Sequence, residues 1–288
     1  MPLHIAEAPR CELLHGFDRP ARAGDGYIRF STSRNKTYAR TLYAVSPLRL
    51  LNPRNHGHAS WIYSSTFGGG LVGGDALNFH IDVDAHAAGM LATQASTKVY
   101  RSVSGVVQNF KVTVGPGGIF VAIPDPTVCF KDSQLTQNQS YALTGDAGLV
   151  VFDWITSGRE ANGERWLFRK FANRIKIFHN DKLILTEALL LSPDHGSLLE
   201  RLGRFNVLAL AIACGPKLKE FSEQIQTRVR AEPLGKRPDL LCVASPFRNS
   251  GLLLRVASTS IEAVAGLLKE YFNFVPDVLG DNPWTRRW

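Results

Sequence analysis

The chain has 288 residues, 44% of them hydrophobic and 20% charged, with a formal net charge of +8 and a pI near 9.5. This excludes a disordered tail and allows a sizeable core in one large or two small domains. No run reaches the roughly 20 unbroken apolar residues of a membrane helix, and the basic balance favours an acidic partner, protein or nucleic acid.

At the N-terminus, Glu7 and Arg10 stand where a signal peptide needs its apolar stretch, so a cytoplasmic location is expected. Residues 1–25 read as an extension that could join the sheet. Leu77, Phe79, Ile81 and Val83 then alternate with Asn78, His80, Asp82 and Asp84, the period of a half-buried strand. Phe110, Val112 and Val114 repeat the pattern before a Gly-Pro-Gly-Gly turn at 115–118. Ile175 and Ile177, then Leu183 and Leu185, flank His179-Asn180-Asp181-Lys182 and predict a hairpin. Val207 to Cys214 is a continuous apolar run, predicting a strand buried on both faces. After Pro216, Leu218, Phe221, Ile225 and Val229 share a helical face. The polar segment Ala231–Asp239 is a loop. Thr259 and Glu262 form a capping-box pattern before the stripe Ile261, Val264, Ala265, Leu268, Tyr271 and Phe272. The expected fold is mainly β with a few α-helices (α+β), the helices toward the C-terminus, as a single domain over 1–288. No internal repeat is visible.

Motifs of known chemistry are mostly absent. Cys11, Cys129, Cys214 and Cys242 are widely spaced, without a C-x-x-C pair. Gly68, Gly70 and Gly73 satisfy G-x-G-x-x-G, but an alternating strand follows where a dinucleotide site needs a helix, and Asp75 would repel a phosphate. Tight turns explain these glycines better. His56 and His58 lie in the loop Asn52–His58, and no H-E-x-x-H occurs, so no permanent metal site is predicted. Asp75, Asp125, Asp153 and Glu164 sit in dense local sequence; each can be an acid, a turn cap or a transient cation ligand. Arg165, Arg169, Lys170, Arg174 and Lys176 interleave with Trp166, Phe168 and Phe171. That mixture fits a strand with one apolar and one charged face, and it also fits a nucleic-acid surface. A second basic cluster is Arg34, Lys36 and Arg40.

Several segments, taken in order, resemble the urease accessory protein D family, called H in some bacteria. They are Lys36-Thr37, Ser46-Pro47-Leu48-Arg49-Leu50, Gly69-Gly70-Leu71-Val72-Gly73-Gly74-Asp75, Thr93-Gln94-Ala95, Lys98-Val99-Tyr100-Arg101, Pro124-Asp125-Pro126 with Cys129-Phe130, Thr156-Ser157-Gly158-Arg159, Gly163-Glu164-Arg165-Trp166 and the closing Arg287-Trp288. The resemblance spans about Gly26 to Trp288. It departs from the family pattern at Ala92, where a threonine is common.

The resemblance implies a stacked-sheet, β-helix-like architecture and a non-enzymatic scaffold. Its implied partners are the accessory proteins F and G and apo-urease, with no nucleic acid and no membrane. It implies nickel as a transient passenger and no permanently bound cofactor. A passage for Ni²⁺ needs weak, exchangeable oxygen ligands and not a closed cage. The residues expected to line it are Asp75, Asp125, Asp153 and Glu164, with Thr93 and Gln94 as polar wall. Gly69, Gly70, Gly73, Gly74, Lys98, Tyr100 and Arg101 are expected to be structural. Tyr271, Phe272, Arg287 and Trp288 are expected at the contact with protein F. The alternative function is a basic, β-rich nucleic-acid-binding protein.

Overall fold

The computed structural model describes residues 20–233 and 235–285. Antiparallel pairs come first: β1 (Asp25–Ser33) with β2 (Lys36–Ala44), and β3 (Leu48–Leu51) with β4 (Ser60–Thr66). From there the chain alternates between two sheets. β5 (Ala76–Val83) lies in the first, and β6 (Ala88–Thr93) with β7 (Thr97–Val99) in the second. β8 (Val106–Val114) returns to the first, and β9 (Ile119–Ala122) with β10 (Thr127–Cys129) goes to the second. β11 (Gln134–Leu143), β12 (Gly148–Thr156) and β13 (Lys170–His179) continue the alternation. Strands of successive turns stack parallel, β1-β5-β8-β11-β13 in one sheet and β4-β6-β9-β12 in the other. The result is a flattened, β-helix-like coil. β14 (Lys182–Leu191) folds back on β13. After α1 (Leu198–Leu202), the strands β15 (Val207–Cys214), β16 (Leu240–Phe247) and β17 (Gly251–Ser258) extend the second sheet antiparallel, with α2 (Lys219–Ala231) between β15 and β16 in the chain. α3 (Ile261–Tyr271) and α4 (Val275–Leu279) follow.

Period-two patterning places the core. Leu77, Phe79, Ile81 and Val83 point between the sheets and are buried, while Asn78, His80 and Asp82 lie on the outer face of the first sheet. The second sheet is apolar on both faces because the helices cover its outside. Leu149 and Val151 face the first sheet, whereas Val150, Phe152 and Trp154 pack with Val264, Leu268 and Phe272. Hence Val207–Cys214 reads as an unbroken apolar run. The predicted hairpin turns through Asn180 and Asp181, both at positive φ (46° and 62°).

Two expectations change. The cap of α3 is Ser260, whose hydroxyl accepts from the Ala263 N–H, and not Thr259. Tyr271 and Phe272 are only 4% and 0% exposed. Phe272 packs edge-on against Phe152, and the Tyr271 hydroxyl donates to Glu232. These rings fasten α3 to the sheet and are not an outer contact surface. Arg287 and Trp288 lie outside the described residues, as does most of the N-terminal extension.

The coil repeats although the sequence does not. Stacked Asn78, Asn109 and Asn138 are 31 and then 29 residues apart. A parallel coil requires only inward apolar phase at each level, so residue identities need not recur.

Candidate functional site

A seam crosses the second sheet. β6 stops at Thr93 and resumes as β7 at Thr97; β9 stops at Ala122 and resumes as β10 at Thr127. β12 runs unbroken beside them, pairing with β9 through Val151 and with β10 from Ile155. Between these pairings the segment Pro124-Asp125-Pro126 departs from the ladder, because proline has no N–H to donate. Its carbonyl at Pro124 accepts from the Trp154 indole (2.8 Å). Asp125 and Thr93 clasp each other across the seam. The Thr93 hydroxyl donates to Asp125 Oδ2 (2.9 Å) and accepts from the Asp125 N–H (2.7 Å).

Behind the seam lies a cavity of about 130 Å³ between the sheets. Thr93, Asp125 and Lys98 stand toward its mouth. Gln108, Gln137, Gln139 and Tyr141 line its first-sheet wall, and Asp153 its depth. The polar groups are linked. Tyr141 Oη donates to Gln139 Oε1 (2.7 Å), and the Gln139 amide donates to Asp153 and to Asn173 Oδ1 (3.1 Å). Asn173 Nδ2 donates to Asp153 Oδ2 (3.1 Å). Gln137 Nε2 donates to Gln108 (3.1 Å), but Gln137 Oε1 has no partner among the described residues. The rest of the lining is mostly apolar, with Leu77, Phe79, Leu91, Phe110 and Phe120, and an unpaired buried acceptor facing such a cavity is a place for water.

Asp153 also borders a second cavity, of about 310 Å³, toward the end of the stack where β14 and β16 are edge strands. Asn173, Glu187 and Arg255 are its polar lining among leucines and valines. Arg255 grips Glu187 with two bonds, Nη2–Oε2 at 2.6 Å and Nε–Oε1 at 3.1 Å. Asp153 and Trp154 thus line both cavities. Burial pushes the Asp153 pKa up to about 6, and the amide bonds from Gln139 and Asn173 pull against that shift. Its hydrogen-bond donors are neutral amides.

Three of the expected route residues, Thr93, Asp125 and Asp153, therefore share one cavity. The other three do not line it. Gln94 is exposed beside the mouth. Asp75 caps its own turn, accepting from the Val72 N–H (2.8 Å). Glu164 binds Arg159 and the Lys131 N–H (3.1 Å), and the Arg159 hydrogen bond holds its carboxyl below the usual range. The inward amides Gln108, Gln137, Gln139 and Asn173 were not among the expected residues. Their signal is phase: Gln137 and Gln139 fall in step with the core residues Leu135, Tyr141 and Leu143.

The glycine motif is architectural. The Leu71 N–H donates to the Lys98 carbonyl (2.8 Å), and the Tyr100 N–H donates to the Leu71 carbonyl (2.9 Å). A Cβ at Gly70 would sit 2.5 Å from the Tyr100 ring and 2.9 Å from Lys98 O; Gly69 and Gly74 hold positive φ (70° and 91°), and Gly73 abuts Ser102. Arg101 reaches Asp132 (3.9 Å). No helix follows the glycines. Trp166, Phe168 and Phe171 are buried, so the basic cluster offers no rings for base stacking. Among the described residues there is no group of three or more His, Cys, Asp or Glu that could hold a metal ion, and no helix long and apolar enough to cross a membrane.

The family model described as "UreD urease accessory protein" matches residues 22–288. The chain belongs to this family. It is 44% identical to the urease accessory protein UreD of Sorangium cellulosum over 94% of this chain and 86% of the other. It is 37% identical to that of Anaeromyxobacter sp., over 99% and 96%. The urease accessory protein D of Oryza sativa subsp. indica is 32% identical over 92% and 96%. The role is thus that of a urease accessory protein, and the seam joins several of the sequence segments that carry the likeness.

Proposed function

We propose that the protein is a non-catalytic, cytoplasmic scaffold that bridges the accessory proteins F and G to apo-urease and gives Ni²⁺ a polar route between them. The observation that supports this reading is that Asp153 lines both cavities. Along them lie hydroxyl, amide and carboxylate oxygens: Thr93, Asp125, Gln137, Gln139 and Asp153. Such donors bind a divalent ion weakly, in few-point contact, and let it exchange onward. A carboxylate buried among neutral amides is costly to keep ionised, and a passing cation offsets that cost. No bond-making step is assigned to any residue; the ion is cargo.

The test combines co-purification with F, G and apo-urease and nickel-dependent urease activation. With Asp125→Ala the complex assembles and urease nickel content falls. Glu164→Ala, away from the cavity, leaves nickel content near wild type once the protein is folded. Normal urease maturation in cells lacking the protein contradicts the reading.

A further inference from the structure

Four inter-sheet connections stack along one edge of the coil, next to the seam: residues 67–75, 100–105, 130–133 and 157–169. Each is bonded to the next, through Gly74 N to Gly105 O (2.8 Å), Ser102 N to Asp132 O (3.3 Å) and Asp132 N to Leu167 O (3.1 Å). Loop tips in water are ordinarily polar. Here three of the four carry Val72, Val103 and Leu167, exposed by 53%, 86% and 44%. Arg101 and Arg169 flank Asp132 at 3.9 and 3.6 Å and project beyond it, 77% and 52% exposed against 29%. Lys131 is exposed between them. The carboxylates of these loops are each held by a hydrogen bond: Asp75 by the Val72 N–H, Glu164 by Arg159 and the Lys131 N–H, and the exposed Glu160 by the Asn206 side-chain amide. Outwardly the ridge is an apolar crest with a cationic rim, the composition of a protein-docking surface.

We propose that this ridge docks apo-urease through a urease face with an apolar centre and a carboxylate rim. The choice of partner rests on the accessory role argued above; the surface itself does not. A protein that takes up and keeps divalent cations carries anionic ligands, and their field reaches its entrance. That field complements Arg101, Lys131 and Arg169. The ridge also adjoins the seam where Thr93 and Asp125 open into the cavity, so docking here brings the receiving protein to the mouth. In the free protein the same cations repel a stray divalent ion from that mouth. Nucleic acid fits less well, since valines at the crest gain nothing against phosphate.

The experiment titrates the full-length protein against purified nickel-free urease, without Ni²⁺, over a salt series. Val103→Asp weakens binding tenfold or more, and Arg101→Ala flattens the salt dependence. Leu183→Asp, on the opposite edge of the first sheet, binds as wild type. Val103 is so exposed that its variant folds, which thermal melting checks. Unchanged affinity in both ridge variants overturns the assignment. So does loss of wild-type binding after nuclease treatment, or loss of the F–G complex alone from Val103→Asp. Because no nickel is present, failure of the route reading, seen as normal nickel delivery by Asp153 variants, leaves this result standing.

Discussion

Asp153 lines two cavities with only amide donors for company, and its chemistry makes two opposed predictions. Its folded-state pKa of about 6 lies above the ordinary value near 4. The folded state therefore holds the proton more tightly, and stability falls as pH rises from about 4 through about 6. The penalty, at most about 3 kcal/mol for two pKa units, is complete above pH 6 and absent below pH 4. Asp153→Asn keeps the acceptor for Gln139 and Asn173 without the charge. It should gain about 1–3 kcal/mol in urea unfolding at pH 8 and almost nothing at pH 4, while lowering nickel delivery. An equal gain at both pH values contradicts this assignment of the shift to burial. The cysteines give a simpler case. Burial pushes the Cys129 and Cys214 thiols up to about 12, so neither is a thiolate nucleophile at pH 8. Mass spectrometry after iodoacetamide treatment of the folded protein should find both unmodified, and rapid alkylation only in denaturant.

The strands are held in register by what they carry outward as well as inward. On the outer face of the first sheet Asn138 donates to Asn109 (3.0 Å), Asn109 to Asn78 (2.8 Å) and Asn78 to buried Asp25 (2.9 Å). Arg174 follows Asn138 in register. The amide dipoles thus run in one sense, their N–H ends toward the Asp25 carboxylate. Asn109→Ala removes two bonds from the middle of this ladder and should cost about 1–2 kcal/mol in urea unfolding without altering nickel delivery. Strand existence was legible wherever apolar and polar residues alternate cleanly, as in β5 and β8. The polar cavity wall was not, because Gln137 and Gln139 occupy inward positions and look like surface residues unless their phase is followed from Leu135 to Leu143. Tyr271 and Phe272 misled for the converse reason. An apolar helical stripe reads the same whether its own sheet or a partner covers it.

For the molecule as a whole, composition and periodicity reach a basic, mainly β chain and stop there. The alternation of strands between sheets, with β6–β7 and β9–β10 split at a common level, depends on long-range pairing that no local pattern encodes. The family likeness supplied the architecture and the accessory role. It also pointed to Thr93 and Asp125, which three-dimensional folding gathers at one cavity with Asp153, a residue picked out by its dense local sequence alone. It could not separate them from Asp75 and Glu164, since a turn-capping carboxylate and a cavity carboxylate look alike in sequence.

The proposed route takes Ni²⁺ past Asp153, which lines both cavities. Asp153→Leu puts there a side chain offering no oxygen. Metal analysis of urease purified with the assembled accessory complex is the direct measurement. Normal assembly with nickel content at least fivefold below wild type is expected; full nickel content from a complex carrying Asp153→Leu would contradict the route.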